Sequence, residues 1–147
     1  MKAFFHGLFF FALLFQACES GDNNQNGLFI IAGSICGWCA GTDSVVITSE
    51  IITFEFANCD VKLSETKETE ESEWSELKNS INLEEFKKIN LNTCYVCADG
   101  CDYWVEIRSA TFRHRIRYGQ QDSSAVSKIQ PFLRKVHSIR ASFKTGE

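Results

Sequence analysis

Short apolar runs separated by polar turns occupy most of the chain. One run covers residues 28–35, with a break at Gly33, and its branched aliphatic side chains are typical of a β-strand. Residues 44–48 and Ile51–Ala57 form a β-hairpin if the turn lies at Ser49-Glu50. Two further strands are predicted over residues 102–108 and 111–118. The pattern therefore predicts a sheet of about five strands.

The two hairpins imply specific pairs of side chains across the sheet. In the first hairpin, Val45 lies opposite Phe54 on the core face. In the second, a two-residue turn at Ser109-Ala110 gives three pairs on the exposed face: Glu106 with Arg113, Trp104 with Arg115 and Asp102 with Arg117. Because these groups satisfy one another, the arginines are interpreted as a solvated sheet face rather than an anion-binding site.

The segment between the hairpins has a different composition. Residues 61–76 are rich in Glu, Thr, Ser and Lys, which predicts a solvated loop that leads into a helix over residues 72–80. Asn82 is expected to cap a second short helix. Residues 122–139 place apolar side chains at three- and four-residue steps, which predicts a helix that Pro131 either kinks or divides.

The order of these elements is strand, hairpin, two short helices, hairpin and helix, which is typical of an α+β domain. We expect an antiparallel sheet of about five strands, with the short helices and the C-terminal helix packed on one face. This single domain covers residues 28–147. Residues 19–27 contain no apolar side chain, so they are expected to form a flexible tether before it.

The N-terminus has the pattern of an export leader. Lys2 is followed by a nearly continuous apolar run from Phe4 to Phe15, which is shorter than the roughly 20 residues that span a bilayer. The segment Leu14-Phe15-Gln16-Ala17-Cys18 resembles the lipobox of bacterial lipoproteins. The resemblance implies a signal peptide over residues 1–17, lipidation of Cys18, and anchoring to an envelope membrane facing the periplasm or the cell exterior. Cleavage without lipidation would give a soluble secreted protein.

Composition limits the class of partner. The chain has 147 residues and a formal net charge of −4 at pH 7. A mildly acidic chain lacks the clustered basic charge that drives nucleic-acid binding, so nucleic acid is excluded as the expected partner. The expected partners are the membrane, through the N-terminal lipid, and an envelope protein. Thirteen Phe and three Trp supply ample material for a core without a metal ion.

Six cysteines follow Cys18, namely Cys36, Cys39, Cys59, Cys94, Cys97 and Cys101. An even number outside the cytoplasm favours a disulfide framework, and fifteen pairings of six cysteines remain open. We expect the first two of these cysteines to lie close to the last three. Zinc is an alternative, because two C-x2-C motifs could supply four thiolates to a tetrahedral site.

A redox role is the other alternative for the cysteines. Cys36-Gly37-Trp38-Cys39 resembles the active-site motif of thioredoxin-like oxidoreductases over four residues. In that family the first cysteine begins a helix that lowers its pKa, whereas a strand is predicted to follow Cys39 here. The family also has a proline facing the dithiol, and Pro131 lies in the C-terminal helical segment. The sequence therefore argues against a thioredoxin fold and leaves a redox site on another fold open.

Motifs for other chemistry do not occur. The sequence has no phosphate-binding loop, dinucleotide fingerprint or zinc-protease motif, and His114 and His137 have no recognisable catalytic partner. No catalytic residue, metal or cofactor is predicted. The organisation resembles small Gram-negative envelope lipoproteins of unknown function. It predicts a non-enzymatic envelope binding or interaction module stabilised by disulfides. The alternative is a thiol redox or zinc-binding protein that uses Cys36 and Cys39 with the Cys94, Cys97 and Cys101 cluster.

Overall fold

The structure, a computed structural model, describes residues 27–143. The predicted leader, the predicted lipidation site Cys18 and residues 19–26 of the predicted tether lie outside the described residues. The strands are β1 (Phe29–Cys36), β2 (Gly41–Ile47), β3 (Ile51–Ala57), β4 (Lys62–Glu68), β5 (Cys101–Arg108) and β6 (Arg113–Tyr118). The α-helices are α1 (Glu71–Asn79), α2 (Leu83–Lys88) and α3 (Gln130–Ser142).

The strands form one antiparallel sheet with the order β4-β3-β2-β1-β5-β6. The predicted α+β class and antiparallel sheet are confirmed, but the sheet has six strands within residues 27–143 instead of about five. β1 pairs with β2 on one side and with β5 on the other. The first strand of the domain is therefore one of the two central strands of the sheet.

The additional strand is β4, in a segment that the sequence predicted to be a loop. β4 pairs with β3 from Ala57 opposite Lys62 to Ile51 opposite Glu68. As an edge strand it is exposed at all but one position, so its sequence shows no alternation of apolar and polar residues. Charged residues on an edge strand also discourage pairing with another chain. Solvent on both faces explains why the hydrophobic pattern missed this strand.

The hairpin of β2 and β3 agrees with its prediction. Val45 lies opposite Phe54, and the backbone N–H of Thr48 donates to the carbonyl of Ile51 across the turn at Ser49-Glu50. The Thr48 hydroxyl oxygen also accepts the backbone N–H of Ile51 at 3.0 Å. This threonine supplies the turn geometry for which hairpins usually rely on Gly or Asn.

The register of β5 and β6 differs from the prediction by two residues. Glu106 lies opposite Arg115 and Trp104 opposite Arg117, because the loop between the strands spans residues 109–112 instead of two residues. A shift of two preserves the face of every side chain, since the side-chain period of a strand is two. The predicted partners therefore still meet as diagonal neighbours, although the predicted opposite pairs are wrong.

Strand β1 continues through Gly33, where the sequence predicted a break. A Cβ atom on Gly33 would lie 2.2 Å from the carbonyl oxygen of Asp43 and 2.8 Å from the ring of Trp104. The glycine therefore provides the space in which the Trp104 indole lies over the central strand. It keeps the sheet continuous instead of ending a strand.

Of the three α-helices described, α2 begins at a side-chain cap. Asn82 accepts the backbone N–H of Glu85 at 3.1 Å, which confirms the predicted cap of α2. The predicted C-terminal helix is shorter than expected. Residues 120–122 and 127–129 form 3₁₀ turns, and α3 begins at Gln130 with Pro131 in its first turn. N–H groups in the first turn of a helix have no acceptor within the helix, so a proline there removes no hydrogen bond. Pro131 therefore begins the helix without kinking it.

The core lies between the helices and one face of the sheet. Every second residue of the central strands faces the helices, and Ile30, Val45 and Ile107 are fully buried there. They belong to the same core cluster as Leu77 and Phe86 of the helices. In residues 27–143 no helix is both long and apolar enough to cross a bilayer. His114 lies at the core face, where its Nε2 is 2.9 Å from the carbonyl oxygen of Ile89. This contact engages the imidazole within the fold.

Candidate functional site

All six described cysteines form disulfides. The bonds join Cys36 to Cys101, Cys39 to Cys59, and Cys94 to Cys97. They lie at one end of the sheet, where β1 ends and β5 begins. We call this region the cysteine end and define it as residues 36–41, 58–61 and 94–101. The predicted proximity of the first cysteine pair to the last cluster is confirmed by the Cys36–Cys101 bond.

The pairing does not support the zinc and redox alternatives at Cys36 and Cys39. These two cysteines bond to different partners, so they are not a dithiol pair. Within residues 27–143, no group of three or more His, Cys, Asp and Glu residues is placed to hold a metal ion. The helix that activates a thioredoxin-like cysteine is also absent there, because Gly41 begins β2 directly after the turn.

The three disulfides constrain the unfolded chain to different extents. Cys36–Cys101 closes a loop of 65 residues, Cys39–Cys59 one of 20 and Cys94–Cys97 one of 3. Loop-closure entropy then gives stabilisations of about 4, 3 and 2 kcal/mol. The first bond therefore contributes most to the fold. The third closes a loop so short that its contribution to stability is the smallest.

Trp38 lies in the turn between β1 and β2 with 86 % of its surface exposed. Its backbone and that of Cys39 have φ values of 52° and 60°, in the left-handed region. The indole Nε1–H donates to Oδ1 of Asp99 at 2.6 Å, which joins this turn to the loop before β5. A left-handed non-glycine residue costs roughly 1 kcal/mol, so this turn is held in place by the bonds around it. Sequence reasoning missed Trp38 as a site residue.

Asp102 organises the loop that contains Cys94 and Cys97. Its carboxylate is fully buried and accepts the backbone N–H groups of Tyr95 at 2.9 Å and Val96 at 3.0 Å. Arg117 Nη2 also donates to Asp102 Oδ2 at 2.6 Å. Burial acts to raise the pKa of Asp102, but the two backbone N–H groups and the guanidinium together lower it. The loop is therefore fixed by an ionised carboxylate from β5.

Two adjoining cavities beside this loop form a groove, which we call the tyrosine groove. Their volumes are about 450 and 350 Å³, and Tyr103 and Gln120 line both. The groove is also lined by Tyr95, Tyr118, His137 and Arg140. Aromatic rings and polar side chains therefore share this surface.

The hydroxyl group of Tyr118 lies at the inner wall of the tyrosine groove. Burial raises its pKa to about 12, although the positive charge of Arg140 acts in the opposite direction. Its oxygen lies 3.4 Å from Nε2 of His137. Tyr118 is therefore neutral at physiological pH and presents a polar hydroxyl group, not a charge, to the groove.

A buried ion pair holds α3 against the sheet. Arg140 Nη1 lies 3.2 Å from Oδ1 of Asp43, and both side chains are largely buried. The same carboxylate oxygen accepts the backbone N–H of Ser34 at 3.0 Å and its hydroxyl at 3.1 Å. Arg140 is almost a hundred residues from Asp43 along the chain, so no local sequence pattern indicates this pair. This pair fixes one wall of the tyrosine groove.

The arginines of this sheet face are engaged with neighbouring side chains, as predicted, although the carboxylates of Glu106 and Asp102 are buried where the sequence predicted an exposed face. Arg108 Nη2 lies 2.6 Å and Arg113 Nε 2.9 Å from Oε1 of Glu106. Burial acts to raise the pKa of Glu106, but these two guanidinium groups together lower it. Arg115 lies over the ring of Trp104 at 4.1 Å, so this face is no open anion site.

Comparison with protein-family models and with curated proteins finds no match for the chain. The fold and the cysteine pairing nevertheless define a disulfide-stabilised α+β module. Disulfides form and persist in oxidising environments, so the three bonds indicate a location outside the cytoplasm.

Proposed function

We propose that this chain is an exported lipoprotein of the bacterial cell envelope that acts as a binding module and has no enzymatic activity. Cys18 is the lipid attachment site in this proposal, and the cysteines of the domain serve as structural staples. The export leader pattern and the disulfide framework support the location. Its partners are the membrane, through the lipid, and an envelope protein.

One observation carries the binding role, namely the fixed and exposed side chain of Trp38. Its indole is held by Asp99, and its turn is linked to the β3–β4 turn by the Cys39–Cys59 bond. Exposed tryptophan is enriched among the residues that dominate binding energy at protein interfaces. A side chain already held in one position loses little conformational freedom on binding, which favours affinity.

The position of Trp38 relative to the proposed anchor supports the same role. The predicted tether leads into β1, whose eight residues extend on the order of 25 Å from Phe29 to Cys36. Trp38 follows at the far end of this strand. A module anchored through Cys18 would therefore direct the cysteine end and the tyrosine groove away from the point where the tether enters.

Metabolic labelling with a clickable palmitate analogue tests the anchor. We expect the wild-type chain to incorporate label and the Cys18→Ser variant to lose it. The Cys39→Ser variant is a matched control, because it also replaces one cysteine by serine, and it should keep the label. An unlabelled wild type, or equal label in Cys18→Ser, would contradict the lipid anchor.

Site-specific photo-crosslinking in intact cells tests the binding surface. A photoreactive amino acid at Ala40, which is exposed beside Trp38, should give a protein adduct that disappears in the Trp38→Ala background. The same amino acid at Phe29, at the opposite end of β1, is the control and should give none. Adducts of equal yield at both positions, or an Ala40 adduct that persists in Trp38→Ala, would refute this surface.

A further inference from the structure

The Cys94–Cys97 bond differs in its setting from the other two disulfides. It joins residues three apart in a 3₁₀ segment at the surface, and both cysteines are exposed. We propose that this disulfide is a thiol–disulfide exchange site that a dithiol reductant opens reversibly, while the other two disulfides stay intact. This inference does not depend on the lipid anchor or on the binding role of Trp38.

Accessibility is the first condition for exchange, because an incoming thiolate must reach a sulfur atom. Cys36 and Cys101 are half-buried where β1 and β5 pair, which protects their bond. Cys39 and Cys59 are exposed. Exposure alone therefore does not explain why a reductant would open Cys94–Cys97 before Cys39–Cys59. The charge near the sulfur atoms provides the difference.

Positive charge beside one sulfur atom is that second property. Arg117 Nη2 lies 3.7 Å from Sγ of Cys94 and can stabilise a thiolate there. The guanidinium is also paired with Asp102, which offsets part of its charge. Its Nε, however, has no hydrogen-bond partner among the described residues. Nη2 is therefore the atom that faces both the Asp102 carboxylate and Sγ of Cys94.

The loop does not need the disulfide to keep its shape. Asp102 accepts two backbone N–H groups of the segment, and the N–H of Gly100 donates to the carbonyl of Tyr95 at 2.8 Å. The ring of Tyr95 packs on Gly119, where a Cβ atom would lie 2.3 Å from it. After reduction these contacts hold Cys94 and Cys97 near each other. The bond can therefore form again without refolding of the domain.

The exchange proceeds in two steps. A thiolate of the dithiol attacks Sγ of Cys97, the S–S bond breaks, and its electron pair leaves on Sγ of Cys94 beside Arg117. The second thiol of the reductant then attacks the reductant's own sulfur in the mixed disulfide and releases the Cys97 thiolate. The dithiol becomes a disulfide. The dithiol gives up two electrons and two protons, and these convert Cys94 and Cys97 to thiols.

Reduction of the native full-length protein with limiting dithiothreitol, followed by alkylation and mass mapping, tests the proposal. We expect Cys94 and Cys97 to be alkylated about ten times faster than Cys39 and Cys59. Arg117→Gln should slow this step about threefold, because the leaving thiolate loses its cation. Arg115→Gln, on the same face of β6, should not change it. Equal rates for the three bonds, or faster opening of Cys39–Cys59, would overturn the proposal.

A second measurement does not depend on how well the Arg117 variant folds. Cys97→Ser leaves Cys94 as a free thiol, and Cys94→Ser leaves Cys97. The alkylation rate of Cys94 against pH should have its midpoint below the usual thiol value of about 8.5 and below that of Cys97. A Cys94 midpoint equal to or above that of Cys97 would show that Arg117 does not activate this sulfur.

Discussion

Nη2 of Arg117 lies 2.6 Å from Oδ2 of Asp102, a carboxylate with no exposed surface. The pair joins β5 to β6, and the same carboxylate holds the loop of Cys94 and Cys97. A buried charge that loses its partner is strongly unfavourable, whereas a complete pair with all its hydrogen bonds is tolerated. Removal of Asp102, which directly follows the cysteine end in β5, should therefore destabilise the fold strongly.

Replacement of Asp102 tests this conclusion. Asp102→Ala leaves Arg117 and two backbone N–H groups without their acceptor, so we expect the free energy of unfolding to fall by about 3 kcal/mol. Urea unfolding followed by tryptophan fluorescence measures it. Asp60→Ala, in the exposed β3–β4 turn, is the control and should stay within about 0.5 kcal/mol of wild type. Equal effects of the two variants would disprove this role of Asp102.

Acid should weaken the fold through Asp102 and Glu106. The pKa of each is lower in the folded protein than its ordinary value of 3.8 or 4.5. The unfolded chain then binds more protons in acid, so this stabilisation is complete above about pH 5 and is lost as the pH falls through the lowered pKa values. Urea unfolding at pH 7, 5 and 3 should show the loss below pH 5. A Glu106→Gln variant should show a shallower dependence, and an unchanged slope would contradict the assignment.

The contact between Gly33 and Trp104 predicts a steric effect. Gly33→Ala places a methyl group 2.2 Å from the Asp43 carbonyl oxygen and 2.8 Å from the indole, so β1 must shift. We expect a destabilisation of about 2 kcal/mol, measured as a lower thermal midpoint. In Gly37→Ala the nearest atoms lie 3.9 Å away, and this variant should be near neutral. A neutral Gly33→Ala would show that the indole does not lie over β1 in solution.

The lengths of the disulfide loops predict an order of stability. The double variant Cys36→Ser/Cys101→Ser should lose about 4 kcal/mol, and Cys94→Ser/Cys97→Ser about 2 kcal/mol. Denaturant midpoints of the two double variants, both without reductant, measure the difference. A larger loss from the Cys94/Cys97 pair would mean that this bond has a structural role beyond loop closure.

Local pattern predicted the elements that are buried on one side. The hairpin of β2 and β3 could be predicted down to its register, because alternation and a two-residue turn allow only one pairing of Val45 with Phe54. Strand β4 could not, because an edge strand in solvent carries no hydrophobic signal. The register of β6 was missed because the length of the loop at residues 109–112 is set by backbone geometry and not by side-chain polarity.

The candidate site was only partly accessible from the sequence. The cysteines and the arginine stripe were visible as residue types, but the choice among fifteen cysteine pairings required the strand order that places Cys36 opposite Cys101. Trp38 gave no signal beyond its place in a turn, since exposure is a property of the folded surface. The ion pair of Asp43 and Arg140 gave no sequence signal either, because the two residues are far apart along the chain.

The sequence by itself determined the α+β class, the core-facing side chains of the first hairpin, the cap at Asn82 and the expectation of disulfides. These follow from short-range periodicity, backbone capping and residue chemistry, which act over a few residues. Only the tertiary structure decided the sixth strand, the disulfide partners, the exposure of Trp38 and the charge beside Cys94. Those features depend on which distant segments meet, and that is fixed by packing of the whole sheet against the helices, not by any local stretch of chain.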